Sequence, residues 1–231
     1  MTHSISRRGF IGHAGTALGV GLFCAAGTAG AQPRSLLPEV GQTFDLSLNA
    51  FGATLVVDLP PPLPALNFIG SRVVEVVPGG SDHVRLRVLH FIVEAAHPLF
   101  GKIVMRAPED DPGSGSVLKS VAGGRLVETW QQDITITFEK CGDCAGPFIF
   151  RTRRPGQWSA ELAEFPPPPQ GMHADGSPTG GVSYRLSRSL HFTAVRDTAC
   201  EPCPLSTPMP GGSGDYAILE NLDFHQGNVP R

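Results

Sequence analysis

The fold is decided by the segment Val84–Glu94, which reads VRLRVLHFIVE. Its apolar residues occupy even positions as far as Val88 and odd positions from Leu89 onwards. Alternation with period two is typical of a half-buried strand, and a slip of one residue in its phase is what a β-bulge produces. The segment therefore predicts a strand with a bulge near Val88 and Leu89. The alternative is a strand that is buried on both faces beyond Val88.

Similar alternation recurs on both sides of this strand. The segments Ile134–Glu139 and Tyr184–Ala194 each place apolar side chains on one face, with Arg188 as a misfit that needs a partner or a sheet edge. Further strands are predicted at Thr43–Leu48, Ala53–Leu59, Asn67–Val77, Lys102–Arg106, Arg125–Trp130 and Pro147–Arg153. Eight or nine strands separated by proline- and glycine-containing turns predict an all-β fold, an antiparallel β-sandwich or barrel.

Four other segments complete the expected organisation. Trp158, Leu162 and Phe165 have helical spacing, which predicts a helix of two turns at most before Pro166. The apolar patch Tyr216–Phe224 is expected to dock as an edge strand of a proline- and glycine-rich tail. The stretches 108–122 and 166–181 are expected to be long surface loops, which can carry binding sites.

The first residues predict export. Adjacent Arg7 and Arg8 are followed by Phe10, by an apolar run rich in glycine and alanine, and by the small residues that precede a cleavage site after Ala31. Such a charged start, apolar middle and small-residue end are typical of a secretory signal peptide. The segment resembles the twin-arginine (Tat) signal, which implies passage of a folded chain through the Tat translocase into the periplasm or the medium. We expect no stable membrane span after cleavage.

Composition limits the classes of partner. Removing residues 1–31 leaves 16 basic and 21 acidic residues, hence a net charge of −5. That balance argues against a nucleic-acid-binding protein, because such proteins are usually basic. We expect three parts: a signal peptide at residues 1–31, a β-sandwich domain at 32–196, and a C-terminal tail at 197–231 packed on the domain.

Four cysteines remain after the signal, as two CxxC pairs. Cys141 and Cys144 form the first pair, and Cys200 and Cys203 form the second. In an oxidising compartment an even number of cysteines indicates disulfides, and bonds between the pairs would clamp the tail onto the domain. If the Trp158–Phe165 segment is helical, alternating strand directions place both pairs at one end of the sheet. If it is a strand, they fall at opposite ends.

Two other chemistries use the same residues. A site for zinc or iron would take four thiolates, although the gap between the pairs is longer than is usual for zinc. Redox exchange at a CxxC is less favoured, because no βαβ pattern surrounds either pair. Disulfides are the preferred interpretation, and a four-cysteine zinc or iron site is the alternative. His90 and His191 lie on predicted strands and could face one site, but surface positions are the preferred expectation for both.

These patterns favour a non-catalytic protein. No catalytic motif with its usual spacing occurs, so we expect no catalytic residue and no bound cofactor. The sequence predicts a disulfide-stabilised binding or accessory module, with an unidentified ligand or protein partner. The alternative is a metalloprotein, with or without enzymatic activity, built on Cys141, Cys144, Cys200 and Cys203.

Overall fold

The architecture is taken from a computed structural model that describes residues 36–108, 115–195, 200, 203–211 and 214–229. The export residues Arg7, Arg8 and Phe10 and the predicted cleavage point after Ala31 lie outside these ranges. No helix within them is long and apolar enough to cross a membrane.

The described residues confirm the all-β prediction, with more strands than expected. They form fifteen strands, not eight or nine, because short strands fill the segments expected to be loops and tail. The strands are β1 (Thr43–Val56), β2 (Ala65–Val77), β3 (His83–His97), β4 (Gly101–Arg106), β5 (Gly115–Val121), β6 (Arg125–Gln132), β7 (Thr135–Cys141), β8 (Cys144–Thr152), β9 (Gly156–Leu162), β10 (Gln170–Met172), β11 (Pro178–Gly180), β12 (Val182–Leu186), β13 (Leu190–Ala194), β14 (Ala217–Glu220) and β15 (Phe224–Asn228).

Thirteen of these strands belong to one antiparallel sheet that closes on itself twice. In one closed ring β1, β2 and β3 are joined by β15, β12, β9, β6 and β5, with β5 pairing back onto β3. In the other ring the same three strands are joined by β14, β13, β8, β7 and β4, with β14 pairing back onto β1. The long strands β1 to β3 therefore belong to both rings: one half of each strand lies in the first ring, and the other half lies in the second. The strands β10 and β11 form a separate hairpin.

Both rings keep their interiors on the same face of the shared strands. Every second residue of β2 is buried along nearly its whole length, from Leu66 to Val76. The flanking strands β1 and β3 achieve the same result with a bulge each, between Ala50 and Ala53 in β1 and at Leu89 in β3. The bulge predicted in β3 is thus confirmed, since Val73 and Val74 pair with His90 and Val88 and leave Leu89 as the extra residue.

The strand β2 passes between the rings at Gly70. A Cβ atom at this position would lie 2.0 Å from the carbonyl oxygen of Ile92 on β3, which is backbone and cannot turn away. Glycine alone allows the two strands to approach this closely. The junction between the rings is therefore fixed by a bulge on each side and a glycine in the middle.

Two local expectations were wrong. The segment predicted as helical from Trp158, Leu162 and Phe165 is the strand β9, whose buried residues Trp158, Ala160 and Leu162 alternate with exposed ones. Tertiary pairing with β6 and β12 overrides the weak helical spacing. The patch Tyr216–Phe224 is not an edge strand either, because β14 within it pairs with β13 on one side and β1 on the other.

Candidate functional site

The four cysteines meet at one end of the sheet. Cys141 bonds to Cys203 and Cys144 bonds to Cys200, with Cα–Cα separations of 5.9 and 6.2 Å. The preference for disulfides between the pairs is confirmed. A zinc or iron site would need these sulfurs as thiolates, whereas here they are bonded to one another.

The pairs meet for a topological reason that the sequence argument lacked. The strand β8 lies between β7 and β13 and runs antiparallel to both, so β7 and β13 are parallel and end at the same edge. Since β9 belongs to the other ring, its direction has no influence on this edge. The condition that tied a shared end to a helix at Trp158–Phe165 was therefore wrong, although the pairs do share an end.

One ring encloses a buried polar network. The guanidinium of Arg72 donates from Nη2 to Glu128 Oε1 at 2.6 Å and from Nε to Gln226 Oε1 at 2.5 Å. The hydroxyls of Ser116 and Tyr184 donate to the two Glu128 oxygens at 2.5 and 2.6 Å, and Gln226 donates back to Tyr184. These side chains are almost completely shielded from solvent. The network is therefore part of the core, out of reach of a ligand in solution.

The buried network changes the pKa of its tyrosine. Burial raises the pKa of Tyr184 well above its usual value, and the negative charge of Glu128 adds to the effect. The Arg72 guanidinium also lies 4.3 Å from the centre of the Trp130 ring, a cation–π contact. The five polar side chains and the indole hold one another in place, which is a structural role.

The accessible site lies on the other ring, in a cleft of about 610 Å³ at the surface. Its lining comes from three places that sequence separates: the turn after β8, the bend before β13 with the start of that strand, and the loop before β14. The lining residues are Arg153, Arg154, Arg188, Ser189, His191 and Asp215. We call this the arginine cleft.

Strand pairing brings these residues together. The strand β13 lies between β8 and β14, and the backbone N–H of Arg153 donates to the carbonyl of His191 at 2.9 Å. On the other side the N–H of Tyr216 donates to Phe192 at 2.9 Å, which places the preceding Asp215 beside His191. The cleft therefore forms where three neighbouring strands begin or end.

A buried carboxylate organises the basic groups of the cleft. Asp215 has 1% of its surface exposed and makes two contacts of 2.8 Å, with His191 Nδ1 and with Arg153 Nε. The guanidinium of Arg188 donates to the carbonyl of Pro155, whereas Arg154 has no ion pair or hydrogen bond within the described part of the chain. Three guanidinium groups against one carboxylate give the cleft a net charge of +2 with neutral histidine.

The sequence argument missed this cleft, although it contained two hints. Arg188 breaks the apolar alternation of Tyr184–Ala194, and the structure shows why: it lies in the bend where the chain leaves β12 in one ring and enters β13 in the other. The adjacent pair Arg153 and Arg154 follows a strand directly. The possibility that His90 and His191 share a site is wrong, since both side chains are exposed and lie on strands at opposite sides of their ring.

Within the described residues, no group of three or more histidine, cysteine, aspartate or glutamate side chains is arranged to hold a metal ion. No family model matches the chain, and no curated protein matches it. A solved structure with a similar fold is DynF from the dynemicin biosynthesis pathway of Micromonospora chersina. It is 17% identical, with a TM-score of 0.61 over 88% of each chain. At that identity the likeness concerns the fold alone.

Proposed function

We propose that this protein is an exported, non-catalytic binding module that holds a small anionic ligand in the arginine cleft. The observation that carries the proposal is the gathering of Arg153, Arg154 and Arg188 around one cavity in a chain whose net charge is −3. Like charges brought together on an acidic protein repel one another. A bound anion offsets that repulsion.

The side chains suit a carboxylate or a phosphate. Guanidinium groups present planar pairs of N–H donors that match the two oxygens of such groups, and these charge-assisted hydrogen bonds are stronger than neutral ones. Asp215 fixes the orientation of Arg153 and His191, so little conformational entropy is lost when a ligand binds. The unpaired Arg154 supplies a guanidinium whose donors are not used within the described residues.

The contacts favour binding over catalysis. The pair His191–Asp215 has the arrangement of a general base and its orienting acid, and Ser189 lines the same cleft. A nucleophilic serine would also need a hydrogen bond to the imidazole, and none joins Ser189 to His191. Instead the imidazole and the arginine share Asp215, an arrangement that supports positioning of donors around an anion.

The proposed location of the protein is outside the bacterial cytoplasm. Two disulfides indicate an oxidising compartment. The resemblance of the first residues to a Tat signal supports export in the folded state. Replacing Arg7 and Arg8 by lysines should then retain the protein in the cytoplasm. Secretion of the variant at the normal level would argue against the Tat route.

Binding is tested by calorimetry with inorganic phosphate and with acetate at low salt. We expect Arg154→Gln to weaken anion binding by about tenfold to a hundredfold, the effect of losing one charged hydrogen bond. Arg125→Gln is the matched control, because Arg125 is an exposed arginine on β6 that does not line the cleft. Equal affinities for the wild type and Arg154→Gln would contradict the proposed site.

The four-cysteine alternative has a test of its own. Thiol titration of the denatured, unreduced protein, together with elemental analysis, measures free thiols and bound metal. Disulfides predict no free thiol among Cys141, Cys144, Cys200 and Cys203 in protein recovered from the periplasm. Four free thiols with about one zinc or iron per chain would contradict the disulfide-stabilised binding module and support the metalloprotein.

A further inference from the structure

A second cavity opens beside the arginine cleft. It has a volume of about 440 Å³ and shares Arg188 and Ser189 with the cleft. Its other lining residues are Arg185, Leu186, Glu220, Asn221 and Asp223. Because Arg188 and Ser189 line both cavities, the cavities are neighbours on the surface, and we treat them as two compartments of one groove. We call the second one the acidic compartment.

The acidic compartment has the opposite charge balance. Without the shared Arg188, it contains two carboxylates, Glu220 and Asp223, and one guanidinium, Arg185, for a net charge of −1. The cleft next to it carries +2. A ligand that fills both compartments therefore meets a positive environment at one end and a negative one at the other.

Local contacts fix the acidic end of the groove. Asp223 accepts a hydrogen bond of 2.8 Å from the backbone N–H of Leu186, which ties the turn after β14 to the end of β12. Asn221 stands in that turn with a φ of 56°, a left-handed conformation that asparagine tolerates better than most residues. The Glu220 side chain has no hydrogen bond or ion pair within the described part of the chain. It is therefore available to a ligand.

We propose that the ligand is amphoteric, with a phosphate-type or carboxylate anion in the arginine cleft and an ammonium group in the acidic compartment. This rests on the proposed anion-binding function and adds the second charge. Complementary potentials at the two ends orient the ligand in one direction along the groove, whereas a second anion in the acidic compartment would be repelled.

The test compares three probes by calorimetry at low salt: O-phosphoethanolamine, ethyl phosphate and ethanolamine. Ethyl phosphate has the same anion and lacks the ammonium. We expect O-phosphoethanolamine to bind up to about fivefold more tightly than ethyl phosphate, the effect of one partly exposed ion pair. Ethanolamine alone should bind weakly, because the anion provides the stronger contacts.

Variants separate the two compartments. Glu220→Gln should remove the advantage of O-phosphoethanolamine and leave the affinity for ethyl phosphate unchanged. Glu161→Gln, an exposed carboxylate on β9 outside the groove, is the matched control and should change neither affinity. Equal affinities of the wild type for the two phosphates would overturn the amphoteric assignment and keep the anion site. Failure of both phosphates, inorganic phosphate and acetate to bind would overturn the proposed function itself.

The same head group also occurs on lipids, so a further arm uses vesicles. The protein is floated with vesicles of phosphatidylcholine alone and with added phosphatidylethanolamine. Binding that requires phosphatidylethanolamine and is displaced by free O-phosphoethanolamine supports the groove as the site and identifies the lipid as a source. No vesicle binding, with free O-phosphoethanolamine bound, supports a free small molecule. Vesicle binding that free O-phosphoethanolamine does not displace overturns the groove as the lipid site.

Discussion

The two closed rings share three strands and differ in the side chains at the centre of their interiors. The ring closed by β5, β6, β9, β12 and β15 surrounds the ion pair of Arg72 and Glu128, and we call it the polar-centred ring. The ring closed by β4, β7, β8, β13 and β14 is the apolar-centred ring. Its interior is filled by apolar side chains such as Phe138, Phe148 and Phe192. Its buried polar residues, Thr152 and Asp215, lie at strand ends.

The difference shows two ways to fill the same geometry. A closed ring of eight strands is just wide enough to be filled by side chains. The apolar-centred ring fills it by packing, which tolerates small losses in proportion to the volume removed. The polar-centred ring places a hydrogen-bonded network beside the buried rings of Trp130, Trp158 and Phe224, and the loss of one member of the network leaves the others buried and unpaired. Within the described residues, disulfide bonds occur only beside the apolar-centred ring, where they join β7 and β8 to the tail.

The largest effect is expected from breaking the ion pair of Arg72 and Glu128, which with its hydrogen-bonded neighbours we call the polar centre. Glu128→Leu leaves the Arg72 charge buried without its partner, which should cost about 3–5 kcal/mol of unfolding free energy. The double variant Arg72→Met with Glu128→Leu should recover much of this loss, because no unpaired charge then remains. Urea unfolding of the two variants measures both values. A double variant less stable than Glu128→Leu would contradict the view that the unpaired charge dominates.

A loss of comparable size is expected when the apolar-centred ring loses its two disulfide bonds. Replacing all four cysteines by alanine should cost about 4 kcal/mol, the chain entropy of a loop of this length, since Cys141 and Cys203 are 62 residues apart. Removing only Cys144 and Cys200 should cost much less than half of that, because the remaining bond already closes nearly the same loop. If the two disulfides contributed equally and additively, this account of the clamp would be wrong.

The sequence predicts where the strands lie better than it predicts which strands pair with one another. Alternation and its phase slip indicated β3 and its bulge, because burial on one face leaves a period of two in the residues themselves. The CxxC pairs indicated the disulfides by composition and compartment. Ring closure, in contrast, depends on pairings between distant strands, such as β3 with β5 and β1 with β14. Nothing in the local pattern records them.

The candidate site could not be predicted for a related reason. The arginine cleft joins residues from the ends of three strands that are neighbours only after folding, so its members look like ordinary exposed charges in the sequence. The polar centre was hidden as well. Arg72 interrupts an apolar alternation in β2 and Glu128 interrupts another in β6. Their pairing depends on ring closure, which brings β2 and β6 to face each other across the interior.

A smaller effect, which depends on pH above 10, concerns Tyr184 in the polar-centred ring. Tyr184→Phe should cost about 1–3 kcal/mol at neutral pH, because Glu128 loses a buried donor. The pKa of Tyr184 is raised in the folded protein, so its contribution is full below the unfolded value near 10 and falls as pH rises above it. The wild type should therefore lose about 1.4 kcal/mol per pH unit more than the variant above pH 10. Parallel curves of unfolding free energy from pH 8 to 11 would show that Tyr184 ionises equally in both states.

The smallest expected effect comes from a second ion pair that starts on the same strand. Arg125 on β6 pairs with Glu161 on β9 at 2.9 Å, but both side chains are about two-thirds exposed. Because water and salt screen exposed charges, a double-mutant cycle with Arg125→Gln and Glu161→Gln should give a coupling of about 0.2–1 kcal/mol that fades in 1 M salt. The same cycle on Arg72 and Glu128 should give a coupling several times larger that is insensitive to salt, because no solvent reaches that pair. Equal couplings for the two pairs would mean that burial does not set the strength of these contacts, and the contrast between the polar centre and the surface of its own ring would then need another cause.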